Sequence, residues 1–137
     1  MRSKVPLLLI EQSVMILVFA LAAACCMKAF IWSEQASLDI AAKSTAVVEV
    51  QTAAELVKSC RGDLTEAARM GNWTETENAW EKHYSAEWEE TEDSGVYTMT
   101  IRRVETEQHG LGRAEICLCP AGGEELFSLP VCWQEVS

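Results

Sequence analysis

The feature that most constrains this chain is a long apolar segment near its N-terminus, residues 5–32. In and just before this segment, the charged residues are Arg2, Lys4, Glu11 and Lys28. The hydrocarbon core of a bilayer is about 30 Å thick and is spanned by about 20 apolar residues in a helix. We therefore expect residues 7–32 to form a single transmembrane segment.

The charges around this segment predict its orientation. Arg2 and Lys4 precede it, and positive residues flank membrane helices on the cytoplasmic side. Lys28 lies near the far end, where its long side chain can reach the polar interface. We expect a single-pass protein of the cell membrane, with a cytoplasmic N-terminus and an extracytoplasmic C-terminal head.

Glu11 is the unusual residue of the apolar segment. A charged side chain within a membrane costs about 2.5–3.5 kcal/mol on insertion scales and commonly marks a function or a partner. A plain anchor would keep Glu11 hydrated near the cytoplasmic interface. A lipoprotein signal would use residues 22–25, Ala-Ala-Ala-Cys, but apolar sequence continues after Cys25 where such signals have a polar linker.

The residues before Glu11 indicate a third interpretation. Residues 7–11 read Leu-Leu-Leu-Ile-Glu, after a short charged leader and before a long apolar helix. This pattern resembles the N-terminus of type IV pilins and type II secretion pseudopilins, which read Phe-Thr-Leu-Ile-Glu directly after the prepilin peptidase cut. The resemblance implies that residues 1–6 are the leader and that Leu7 follows the cut. Pro6 stands where the family has Gly, and it restricts the backbone there.

The resemblance also implies a role for Glu11 and a set of partners. In the family, this glutamate pairs with the free N-terminal amine of a neighbouring subunit, and a buried carboxylate needs such a partner. The chain would then be a non-enzymatic structural subunit, a minor pilin or pseudopilin. Its partners would be the membrane, other subunits with their assembly machinery, and prepilin peptidase.

The apolar helix is predicted to continue beyond the membrane. Residues 33–60 contain no Pro or Gly, and Gly62 is a plausible stop. Apolar residues recur at helical spacing at Ala36, Ile40, Val47, Val50, Ala54 and Val57. A helix over residues 7–61 would be about 80 Å long. We expect residues 33–61 to be its amphipathic continuation.

Residues 62–137 predict a small α+β head. A capping box at residues 63–66 predicts a short helix that ends by Gly71, and a second box at residues 74–77 predicts a helix to about Lys82. From residue 84 the period changes to that of strands. We expect strands at residues 84–88, 96–105, 113–119 and 126–136, with Pro130 at an edge or bulge. They would form an antiparallel meander against the amphipathic helix, which is also the pilin architecture.

Six cysteines raise the question of a disulfide. Cys25 and Cys26 lie in the apolar segment and are interpreted as packing residues. The cysteines outside it are Cys60, Cys117, Cys119 and Cys132. One disulfide among these four is expected, and its pairing is open. A zinc site that adds His109 is disfavoured, because Cys-x-Cys on a strand lacks the spacing of a zinc knuckle.

Charge and motifs narrow the function. The chain has 137 residues and a formal net charge of −10, which argues against nucleic-acid binding. No nucleophile elbow or phosphate-binding loop is present, so we expect no enzyme activity, no cofactor and no bound metal. The acidic run at residues 87–93 is interpreted as a solvated turn, with a weak calcium loop, as in some pseudopilins, as the alternative.

A rival interpretation remains open beside the pilin-like one. The chain would be a single-pass, membrane-anchored acidic binding or sensory domain that is neither processed nor assembled.

Overall fold

The computed structural model describes residues 4–135, and the chain divides into two compact units, residues 1–41 and residues 42–137. In the described part, the elements are α1 (Val5–Ser59), α2 (Leu64–Gly71), β1 (Thr74–Glu75), β2 (Trp80–Tyr84), β3 (Glu90–Thr91), β4 (Tyr97–Val104), β5 (Leu111–Pro120) and β6 (Phe127–Gln134). The fold class is α+β, as the sequence predicts. The expectations for Arg2 and for residue 136 as the end of the last strand lie outside the described residues.

The helix α1 is uninterrupted from Val5 to Ser59. Pro6 lies in its first turn, where a proline is tolerated because the first amides of a helix have no helical acceptor. At the other end, the amide of Gly62 donates to the carbonyl of Val57 at 2.9 Å, and the amide of Arg61 donates to that of Lys58 at 3.0 Å. This pair of bonds is a Schellman motif. The predicted stop at Gly62 is confirmed.

The short helix α2 begins as its capping residue predicts. The Asp63 carboxylate accepts hydrogen bonds from the amides of Thr65 and Glu66, both at 3.1 Å. The Glu66 side chain pairs with Arg69 on the next turn, so the bonds to Asp63 form one half of a capping box. The helix ends at Gly71, as expected.

The helix predicted from residue 74 to about Lys82 is wrong. Residues 74–84 form a hairpin instead, in which Thr76 donates from its amide to the carbonyl of Ala79 at 2.8 Å. A capping residue contributes about 1 kcal/mol to a helix. Five paired residues between β2 and β4, and the burial of Tyr84, outweigh that local signal.

The strand predicted at residues 84–88 is also wrong beyond Tyr84. A tight loop follows β2, because the amide of Ser85 donates to the carbonyl of Glu89 at 2.8 Å and that of Trp88 donates to Ser85 at 3.1 Å. Trp88 has a φ of 65°, and its ring stacks on that of Tyr97 with centroids 4.2 Å apart. Stacking thus offsets a backbone conformation that is unfavourable for a bulky residue.

The remaining strands form the predicted antiparallel meander, with β2, β4, β5 and β6 as successive neighbours. β1 and β3 both pair with β2. The strand β5 is longer than predicted and begins at Leu111 rather than at residue 113. Pro130 lies on β6, the edge strand, opposite Glu115. The edge placement is confirmed, and it is favourable because proline has no amide to donate to a further strand.

The core of the second unit lies between one face of the sheet and the end of α1. The helix contributes Ala46, Val50, Ala53, Ala54 and Val57. The sheet contributes Met99, Ile101, Ala114, Ile116, Leu118, Val131 and Trp133. Of the predicted helix face, Val50, Ala54 and Val57 are buried, whereas Ala36 and Ile40 are exposed. Helix periodicity therefore predicts a face, but it does not indicate where the sheet begins to cover it.

Candidate functional site

The first candidate site is the N-terminal part of α1, whose described residues are exposed as far as Ala41. Its large apolar side chains include Leu7, Leu8, Leu9, Ile10, Ile16, Leu17, Phe19, Phe30, Ile31 and Trp32. Soluble proteins rarely expose a contiguous apolar surface of this size. By length and composition, α1 could cross a membrane. This part of the prediction is supported, whereas orientation belongs to the proposal below.

Glu11 is exposed on this apolar surface. Its neighbour Ser13 is also polar, but the Ser13 hydroxyl donates to the carbonyl of Leu9 at 2.8 Å. A serine that bonds back to its own helix is compatible with an apolar surrounding, because its donor is satisfied. Of the three polar residues that interrupt the apolar segment, Glu11 and Gln12 therefore have side chains that need other polar partners. Only Glu11 is charged.

The predicted cleavage position, between Pro6 and Leu7, lies in the first turn of α1. The amide of Leu8 donates to the carbonyl of Lys4 at 3.3 Å, so helical hydrogen bonding begins before this position. Residues 1–3 of the leader lie outside the described residues. Of the described leader residues, Lys4 lies just before α1, and Val5 and Pro6 already belong to it.

The cysteines do not form the expected disulfide: all six are free. Cys25 and Cys26 are exposed on α1. The other four are separated by the fold. Cys60 lies at the end of α1, with its sulfur 3.8 Å from that of Met70. Cys117, Cys119 and Cys132 lie on the sheet.

The sheet cysteines share the face that points away from the core, because they alternate with the buried residues of β5 and β6. Cys132 pairs with Arg113, four residues from Cys117 on β5. At about 3.3 Å per residue, these two cysteines are about 13 Å apart. A disulfide requires Cα atoms within about 7 Å. Neither of them can reach Cys60 on the opposite side of the sheet.

The thiols of β5 are held in their protonated form. Burial raises the pKa of the Cys117 thiol to about 11, and the carboxylates of Glu125 and Glu115 raise it as well. Burial and Glu125 also raise the pKa of Cys119. Because the thiolate is the nucleophile and the metal ligand, this pair is poorly suited to either chemistry at neutral pH.

The acidic run at residues 87–93 surrounds the strand β3. Most of its side chains are exposed, and Glu90 forms an ion pair with Lys82. The hydrogen bond from Lys82, together with one from Asn72, lowers the pKa of Glu90. The Lys82 ammonium also donates to the carbonyl of Gly71 at 3.1 Å. Lys82 therefore links the end of α2 to β3.

One part-buried polar contact is not predicted by the sequence. The Tyr84 hydroxyl donates to the carboxylate of Glu49 on α1 at 3.0 Å. Burial raises the pKa of Tyr84, and the Glu49 charge raises it further. Helical periodicity places Glu49 on the polar face of α1. Its partner is 35 residues away in the chain, so no local pattern indicates the contact.

The four tryptophans of the head are divided between two environments. Trp73 and Trp133 are buried, whereas Trp80 and Trp88 are half-buried and pack against the core. The indole nitrogen of Trp80 is buried without a hydrogen-bond partner within residues 4–135. Trp133 is enclosed by Gly62 and Gly112, where a Cβ atom would lie within 2.3 Å of the indole.

No three His, Cys, Asp or Glu side chains of residues 4–135 lie close enough together to hold a metal ion. In comparisons with known proteins, no protein-family model, no curated protein and no solved structure matches this chain. The functional argument therefore rests on the residues described above.

Proposed function

We propose that this chain is a non-enzymatic structural subunit of the type IV pilin and type II secretion pseudopilin kind. In this proposal, α1 anchors the chain with a cytoplasmic N-terminus, the head is extracytoplasmic, and subunits assemble laterally through α1. The observation that carries the proposal is one uninterrupted helix that exposes an apolar surface with a single carboxylate, Glu11, near its start.

The physical reason lies in how differently a bilayer treats the two features of this surface. Lipid covers apolar side chains well, so the apolar side chains are consistent with any membrane anchor and do not favour a particular function. A carboxylate within the segment needs a positive partner. Among the described residues, the nearest bases along the chain are Lys4 and Lys28, at seven and 17 positions from Glu11. A partner on another chain, such as an N-terminal amine, provides the missing charge.

The head is compatible with this role for a second reason. The last turns of α1 bury small side chains against an antiparallel sheet, so the same helix supplies both the anchor and part of the core of the head. In a filament subunit, this continuity would pass forces on the head to the helices that assemble.

The decisive measurement is the intact mass and N-terminal sequence of the protein from its native host. We expect a mature chain that begins at Leu7. A chain that keeps residues 1–6 would show that Pro6 prevents processing. A lipid on Cys25 would contradict both the pilin-like proposal and the unprocessed anchor.

The role of Glu11 is tested by Glu11→Ala in the full chain. We expect normal membrane insertion but loss of co-purification with partner subunits, because the intersubunit ion pair is removed. The control is Glu34→Ala on the same helix, where the carboxylate lies beyond the apolar segment and is exposed. Unchanged co-purification of the Glu11 variant would contradict the pilin-like mechanism.

The second candidate function is an unprocessed, membrane-anchored acidic binding domain. Pro6 favours it, because proline fixes φ and lacks an amide at the position where the family has Gly. The helical hydrogen bond between Leu8 and Lys4 favours it too, since it extends the helix through the bond to be cut. The N-terminal sequence separates the two candidates directly.

A further inference from the structure

We draw no further inference here: the strongest candidate, the exposed apolar face of α1 around Glu11, belongs to the site already described, and nothing in the structure shows what covers that face.

Discussion

The two parts of α1 share one secondary structure but differ in burial: the first is exposed, and the second packs against the sheet. Up to Ala41 its side chains are exposed, and many are large and apolar, such as Phe19 and Trp32. From Ala46 to Val57 the buried side chains are all Ala or Val. The difference teaches that the part of α1 packed against the sheet buries only small side chains, whereas the exposed part carries large apolar side chains as well.

The largest expected difference in stability is between two matched leucine substitutions, one at a buried and one at an exposed position. Leu118 on β5 is 0% exposed, whereas Leu38 on α1 is 65% exposed. Leu118→Ala should lower the free energy of unfolding of the head by about 2–5 kcal/mol, since it removes buried surface and leaves a cavity. Leu38→Ala should change it by less than about 0.5 kcal/mol.

The measurement is urea unfolding of the full chain in detergent, followed by tryptophan fluorescence. Equal losses for the two substitutions would mean that Leu38 is buried by the head, which would contradict the comparison. A defect of Leu38→Ala confined to subunit co-purification would instead place this residue among the contacts between copies.

A glycine substitution tests how closely the end of α1 approaches the sheet. Gly62, just after α1, lies against Trp133 of β6 and leaves no room for a side chain. A Cβ at Gly62 would lie 1.9 Å from the Trp133 indole, and its φ is +80°. Gly62→Ala should destabilise the head by about 2–4 kcal/mol, from overpacking and backbone strain together.

The control is Gly122→Ala, with a φ of +72° and no atom within 4 Å of the added Cβ. It carries the backbone strain without the clash, so we expect a loss of about 1 kcal/mol. Thermal unfolding of both variants separates the two terms. If they are equally stable, the approach of Trp133 to Gly62 does not limit residue size.

The fold was predictable where the signal is local and repeated. The continuous helix, its stop at Gly62, the Asp63 cap and the strand alternation of Met99 and Ile101 all follow from periodicity or capping. The errors at residues 74–88 have two origins. The pairing of β2 with β4 overrides the local helix signal before residue 83. After Tyr84, a tight loop with Trp88 stacked on Tyr97 replaces the expected continuation of the strand.

The candidate site was only partly predictable. The apolar segment and its one acidic residue, Glu11, can be identified directly in the sequence, because a membrane-spanning helix requires about 20 apolar residues in a row. The expected disulfide is absent because the strand register places Cys132 four residues from Cys117, and Cys60 lies at the end of α1. Likewise, the contact of Tyr84 with Glu49 depends on how the sheet packs against α1, 35 residues away in the chain.

The smallest expected effect concerns Glu90. Unlike the side chains of α1 compared above, Glu90 is an exposed side chain held by an ion pair and not by apolar packing. Glu90→Gln removes the ion pair with Lys82 and should lower the free energy of unfolding at pH 7 by about 0.5–1 kcal/mol, since Glu90 is largely solvent-screened. The matched control is Glu89→Gln, which leaves that ion pair intact.

The sign of its pH dependence follows from the lowered pKa of Glu90. The unfolded chain has a glutamate pKa of about 4.3, so the ion pair contributes fully above that pH. Its contribution is lost as the pH falls through the lower pKa of the folded state, because the carboxylate then becomes protonated. The difference between the parent chain and Glu90→Gln should therefore shrink from pH 7 towards pH 3. A difference that stays constant over this range would show that the substitution disturbs packing, and that Lys82 is held by the carbonyl of Gly71 and not by charge.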